Sequence, residues 1–150
     1  MQLCSSKHAR IEPLDVDGID VHFVSSFMRL RVNIDYNLKW NSHIDSICSK
    51  ANSRIYFLKH LKRNGVGLED LIHFYHTVIR PVLEYACPVW STSITYDQSA
   101  RLELVQKRAL SIIFNMSVFE NYLQFCLSNG LETLANRRYN LCKKIFFHVF

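Results

Sequence analysis

The sequence predicts a mainly α fold with a small antiparallel β-sheet at its N-terminus, an α+β chain whose bulk is a helical bundle. Three observations carry that expectation. Asp17-Gly18 separates two short alternating runs, the apolar spacing changes from two residues to three and four after Trp40, and Thr95-Tyr96-Asp97-Gln98 has the form of a capping box.

Residues 11–24 contain the first pattern. Asp17-Gly18 suits a type I′ turn, whose two central residues both need positive φ, so the flanking runs pair as a hairpin. A third extended run, Phe27 to Ile34, places Leu30, Val32 and Ile34 on one face and Arg29, Arg31 and Asn33 on the other, as in a half-buried strand. Beyond Trp40, residues Ile44, Ile47, Cys48, Ala51, Ile55, Leu58 and Leu61 share one helical face over about 20 residues, and Asn64-Gly65 supplies the C-cap. A second helix starts near Leu68, with Glu69 and Asp70 at its positive end, and runs through Leu71, Ile72, Tyr75, Val78, Ile79 and Val82. Pro81 is expected to kink or divide it. The capping box opens a third helix through Leu102, Val105, Ala109, Ile112 and Ile113. A short helix over 119–128 stops at Asn129-Gly130, and a last helix turns Leu131, Leu134, Leu141 and Ile145 inward with Arg137, Arg138, Lys143 and Lys144 outward. The division this suggests is 1–36 for the β portion and 37–150 for the helical one.

With 150 residues, 49% of them hydrophobic, the chain can bury one real core. Its formal net charge of +5 favours polyanionic partners, and the excess is local. Lys39, Lys50, Arg54, Lys59, Lys62 and Arg63 face a single acid, Asp45, between residues 39 and 63, and the other residues carry twelve of each sign. Lys50 and Arg54 are one turn apart, Lys59, Lys62 and Arg63 cluster at the helix end, and Tyr56 and Phe57 interleave with them. Lys50, Arg54, Tyr56, Lys59, Lys62 and Arg63 are therefore the candidate nucleic-acid-binding set, offering phosphate contacts with aromatic stacking surfaces. The same pattern also fits a solvated helix face with cations near a negative C-terminus. Backbone contacts of this kind position a strand rather than read its bases.

Other chemistries are poorly served. Cys4, Cys48, Cys87, Cys126 and Cys142 are odd in number and lack a Cys-x-x-Cys pair, which disfavours a disulfide framework or zinc ribbon and fits a reducing compartment. No run is apolar enough for a membrane span and no signal-peptide core is evident, so no membrane partner is expected, and an expressed chain is expected in the cytoplasm or nucleus rather than secreted. Asp15-Val16-Asp17 is the one close carboxylate pair with a two-metal flavour, and its place at a hairpin tip suits solvated turn residues. His43-Ile44-Asp45 imitates the His-x-Asp of iron and 2-oxoglutarate dioxygenases, for which His76 or His148 would have to complete the triad. At the start of a helix, His43 and Asp45 instead serve the helix terminus. His73 and His76 lie on adjacent turns without a third ligand, and Cys87 lacks an identifiable base, so a buried structural cysteine is its expected role. Neither catalytic nor metal residues are assigned, and no cofactor is expected.

The stretch from Asp35 through Trp40 to Ile44, the segment Ile79-Arg80-Pro81-Val82-Leu83-Glu84-Tyr85-Ala86-Cys87-Pro88-Val89-Trp90, Leu102-Glu103 and Gln106-Lys107-Arg108-Ala109 closely resemble jockey-like LINE (non-LTR retrotransposon) reverse transcriptases downstream of their catalytic motifs. The resemblance covers roughly residues 11–145. It implies that 27–34 is the palm edge supporting the primer end and that the helices from 41 onward are the thumb and its extension. That family usually has Leu-Gly-Val where this chain has Leu30-Arg31-Val32, which puts primer support in question. By the same resemblance the paired catalytic aspartates would precede residue 1. The implied chain is thus not an enzyme but a remnant that binds RNA or DNA primer-template backbone. An inert or protein-interaction fragment, self-associating through apolar faces that a palm once covered, is the alternative. Similar fragments also resemble a segment labelled as the N-terminal region of an AlkB-type tRNA-modifying protein, a label that can attach without any active site in this chain.

Overall fold

The computed structural model describes residues 14–16, 19–21, 24–115 and 121–149. Strands β1 (Leu14–Val16) and β2 (Ile19–Val21) pair antiparallel with Val16 opposite Ile19. That register leaves the two-residue link expected at Asp17-Gly18, which itself lies outside the described residues.

The run Phe27–Ile34 is not one strand. It folds as a second hairpin, β3 (Ser26–Arg29) against β4 (Val32–Asp35), with Arg29 opposite Val32. The two turn residues, Leu30 (φ 48°) and Arg31 (φ 62°), both adopt the left-handed conformation of a type I′ turn without being glycine or asparagine. Each costs on the order of 1–2 kcal/mol, so tertiary contacts must hold the turn. Tyr85 Oη donates to the Leu30 carbonyl (2.9 Å), the Asn33 amide donates to His43 Nδ1 (3.3 Å), and Val32 enters the helical core. Leu30, expected on the buried face, is 80% exposed. Val32 thus packs with the helices across the boundary placed after residue 36.

Helix α1 (Asn41–Arg63) follows its apolar spacing, with Ile44, Ile47, Ala51, Ile55 and Leu58 buried, and it closes at Asn64 with Gly65 at φ 79°. Its first turn is capped from β4, where Asp35 Oδ2 accepts the Ser42 amide (3.3 Å). Asp45, expected at that terminus, points outward to Arg101 instead.

Helix α2 (Leu68–Phe74) passes into a π-helical turn (Tyr75–Ile79) and then α3 (Arg80–Glu84). The Arg80 amide reaches back five residues to the Tyr75 carbonyl, a widened turn immediately ahead of Pro81. The expected division of the helix at this proline takes that form, because proline has no amide hydrogen with which to continue the ladder. A one-turn helix α4 (Cys87–Trp90) follows Ala86 at φ 51° and was not anticipated.

Helix α5 (Tyr96–Phe114) begins with the expected capping box: Thr95 Oγ1 accepts the Gln98 amide (3.2 Å), and Gln98 Oε1 accepts the Thr95 amide (2.9 Å). It packs along α1 in the same direction. Gln98 Nε2 donates to the Lys39 carbonyl (2.7 Å) at the first ends, and Lys62 Nζ donates to the Ile113 carbonyl (3.0 Å) at the far ends. Ala51 and Ala109 are both fully buried on this seam.

After α6 (Tyr122–Ser128), which ends before Gly130 at φ 64°, α7 (Leu134–Val149) closes the bundle. Residues 119 and 120 of the expected short helix lie outside the described residues. The inward face of α7 also differs from expectation. Leu134, Arg138 and Cys142 are buried at four-residue steps, whereas Ile145 is half-exposed and Leu131 precedes the helix. Arg138 turns in rather than out because its guanidinium reaches Ser99 Oγ (2.7 Å) at the start of α5.

Candidate nucleic-acid interface

The six residues expected to touch nucleic acid all lie on α1, yet they do not form one surface. Lys50 and Lys59 are nine residues apart, about half a turn around the helix. On one flank, Lys50 and Arg54 border a cleft of about 250 Å³ that also receives Arg31 from the β3–β4 turn and is walled by His43, Pro81 and Tyr85. On the other flank, Tyr56 and Lys59 border a groove of about 550 Å³ completed by Arg108 and Ser111 of α5. Arg63 is exposed one turn beyond Lys59.

Two of the six have internal duties. Arg54 Nη1 donates to the Val78 carbonyl within the π turn, and Lys62 is committed to the last turn of α5. Tyr56 is 60% exposed, with its ring edge-on to His60 at 4.4 Å between centroids. Sequence reasoning missed Arg31 and Arg108. Arg108 had a signal, since its position on the third predicted helix leaves it outside the buried stripe of Leu102, Val105 and Ala109. Arg31 had none, because it is delivered by the unexpected turn.

Among the described residues, no carboxylate forms an ion pair with Arg31, Lys50, Arg54, Lys59, Lys62, Arg63 or Arg108. The ion pairs go instead to Arg80, Arg101 and Arg137. His43, at the back of the first cleft, is buried edge-on between Trp40 and Trp90. Burial, then Lys50, holds its pKa below the usual value, and its Nε2 has no partner among the described residues.

The remaining chemical candidates are scattered. His43 points inward and Asp45 outward, so the His-x-Asp pair does not converge. His73 is exposed while His76 is half-buried, its pKa lowered by burial and by Arg80. Among the described residues, no three His, Cys, Asp or Glu side chains come together in a way that would hold a metal ion. Asp15 lies in β1, and Asp17, His148 and Cys4 have no described side-chain environment. Cys87 is buried and its thiol is pushed up to about 12, chiefly by burial, which leaves it a weak nucleophile. No helix among the described residues is long and apolar enough to cross a membrane.

The segment most specific to the reverse-transcriptase resemblance is occupied in holding the fold. Leu83 is fully buried, Glu84 bonds Arg137, Tyr85 fixes the β3–β4 turn, and the Tyr85 carbonyl accepts the Trp90 indole N–H (2.9 Å). Gln106 accepts from Tyr75 Oη (2.7 Å) and donates to the Glu132 carbonyl (2.9 Å).

In comparisons with known proteins, residues 40–80 match the family described as alkylated DNA repair protein alkB homolog 8, N-terminal. This segment runs from the residue before α1 to the first residue of α3, and it includes all six expected contact residues. No curated protein and no solved structure matches the chain. The reverse-transcriptase resemblance rests on sequence motifs alone.

Proposed function

We propose that this chain is a non-catalytic helical module that holds the phosphate backbone of a nucleic acid. The observation that carries the reading is the set of cations on both flanks of α1, with Arg31 and Arg108 beside them, that no described carboxylate neutralises. The family matched over residues 40–80 supports an accessory role, because its name describes the N-terminal part of a DNA repair protein and His43 and Asp45 do not converge among the described residues.

The thumb of a reverse transcriptase is the second reading, and one feature favours it. Arg31 stands at φ 62° where that family carries glycine, so the backbone has the shape a glycine would suit even though the residue has changed. On this reading the β3–β4 hairpin and α1 together face a primer-template, and Arg31 adds a cation to that contact.

Fluorescence anisotropy with a labelled RNA–DNA primer-template, an RNA duplex and a single strand, each at several salt concentrations, tests both readings. The Lys59→Ala, Arg63→Ala, Arg108→Ala triple variant leaves Lys62 to its structural bond. Binding by the wild-type chain should weaken steeply with salt and fall at least about tenfold in the variant. Preference for the hybrid duplex supports the thumb, and equal binding to all three leaves the accessory module. A folded monomer with no saturable binding to any of them would sink both.

A further inference from the structure

We propose that the pocket between α4, the start of α5 and α7 is a phosphate-binding site centred on Arg138. The pocket, of about 330 Å³, is lined by Ser91, Thr92, Thr95, Ser99 and Tyr139 around the arginine. Among the described residues no acidic side chain lines it.

Arg138 is 2% exposed, and only Nη2 has a hydrogen-bond partner among the described residues; Nε and Nη1 have none. A buried guanidinium without an anion is costly, so the fold is expected to supply one or to recruit one. Among the described residues no carboxylate pairs with it directly, and the attraction of Glu103 and Glu84 reaches it only from a distance. Glu103 is committed to the amides of Leu134 and Ala135 and to Tyr122 Oη, and Glu84 is committed to Arg137. Burial outweighs the opposing pull of Glu103 and Glu84 and lowers the pKa of Arg138.

The surroundings suit a tetrahedral oxyanion. Ser99 Oγ accepts from Arg138, which leaves its own hydroxyl hydrogen available for an incoming oxygen. Ser91 and Thr92 add hydroxyls from the end of α4. The first-turn amides of Tyr96 and Asp97 have no intrahelical acceptor at the positive end of a 19-residue helix. The Asp97 carboxylate at that helix end is exposed and does not line the pocket. A guanidinium, several hydroxyls and a helix N-terminus together supply the donors that a phosphate takes. The site is independent of the α1 surface: Lys62 marks the far end of α5, while Ser99 lies in its first turns.

The test is a titration of the purified chain with inorganic phosphate at constant ionic strength, read by thermal unfolding and by phosphorus NMR line width. Wild type should show saturable stabilisation and phosphate broadening. Arg138→Met should fold at least as stably without phosphate, because it replaces a buried charge that lacks a direct ion pair with an apolar chain, and should lose both responses. Ser99→Ala should weaken binding about tenfold, and it serves as the readout if Arg138→Met does not fold. The Lys59, Arg63, Arg108 triple variant should keep the phosphate response, which separates this site from the α1 reading. Matched 5′-phosphorylated and 5′-hydroxyl oligonucleotides then assign the source: selective binding of the first points to a nucleic-acid end, and equal binding points to a small phosphate compound. An unchanged response in Arg138→Met, or in Ser99→Ala where Arg138→Met does not fold, or no saturable response in wild type, would overturn the proposal.

Discussion

Arg63 and Arg137 stand on helices of the same bundle, yet they live in different electrostatic worlds. Arg137 is held by Glu84 through Nε and Nη2, in a pair whose side chains are 25% and 12% exposed. Arg63 projects into solvent at the end of α1, and the cations around it have no described carboxylate. The α3–α7 contact spends its charge on the fold, and the α1 flanks leave theirs for something outside it. Charge totals cannot separate the two cases. Only the location of each carboxylate does.

That contrast breaks first at Glu84. Glu84→Gln removes the negative charge, and one of the two acceptor oxygens, from beside a partly desolvated Arg137 and should cost about 2 kcal/mol, between the values for exposed and fully buried pairs. Urea denaturation would show it as a lower midpoint at unchanged slope. A loss under about 0.5 kcal/mol would mean that the pair is no more structural than a surface contact. Arg31→Gly probes the other side. Relief of left-handed backbone strain, offset by the greater flexibility of glycine in the unfolded chain, should raise stability by about 0.5–1 kcal/mol while weakening nucleic-acid binding. A fall in stability would show that Arg31 contributes to the fold and does not belong with the unpaired cations. The smallest effect is expected at Asp45→Asn. Its exposed pair with Arg101 should contribute no more than a few tenths of a kcal/mol, visible only as a slight, salt-dependent shift in the midpoint.

Much of the helical layout was legible because it depends on local rules. Asn64-Gly65, Asn129-Gly130 and the Thr95–Gln98 box are chain punctuation with their own hydrogen-bond logic, and all three sit at helix ends. The Leu30–Arg31 turn was illegible because neither residue advertises positive φ; contacts with Tyr85 and His43, distant in sequence, hold it there. Arg138 was assigned to the surface by its charge, and no local pattern reveals that Ser99 waits for it inside. The split of the candidate site could have been read, since the nine-residue separation of Lys50 and Lys59 already places them on opposite flanks. The internal duties of Arg54 and Lys62 could not, because their acceptors are backbone carbonyls on other elements.

The parallel run of α1 beside α5 also governs how the chain reaches its structure. Two antiparallel helices can zip from a short turn, but parallel neighbours must wait until the segment between them, here residues 64–95, has doubled back. Closing a flexible connection of that length costs about 3 kcal/mol in chain entropy. Packing α2, the π turn and α3 onto α1 shortens the search, so the seam between α1 and α5, with its bonds at Gln98 and Lys62, is expected to form after those local contacts. The crossover between the two long helices is therefore the expected slow step of folding, rather than the formation of either helix itself.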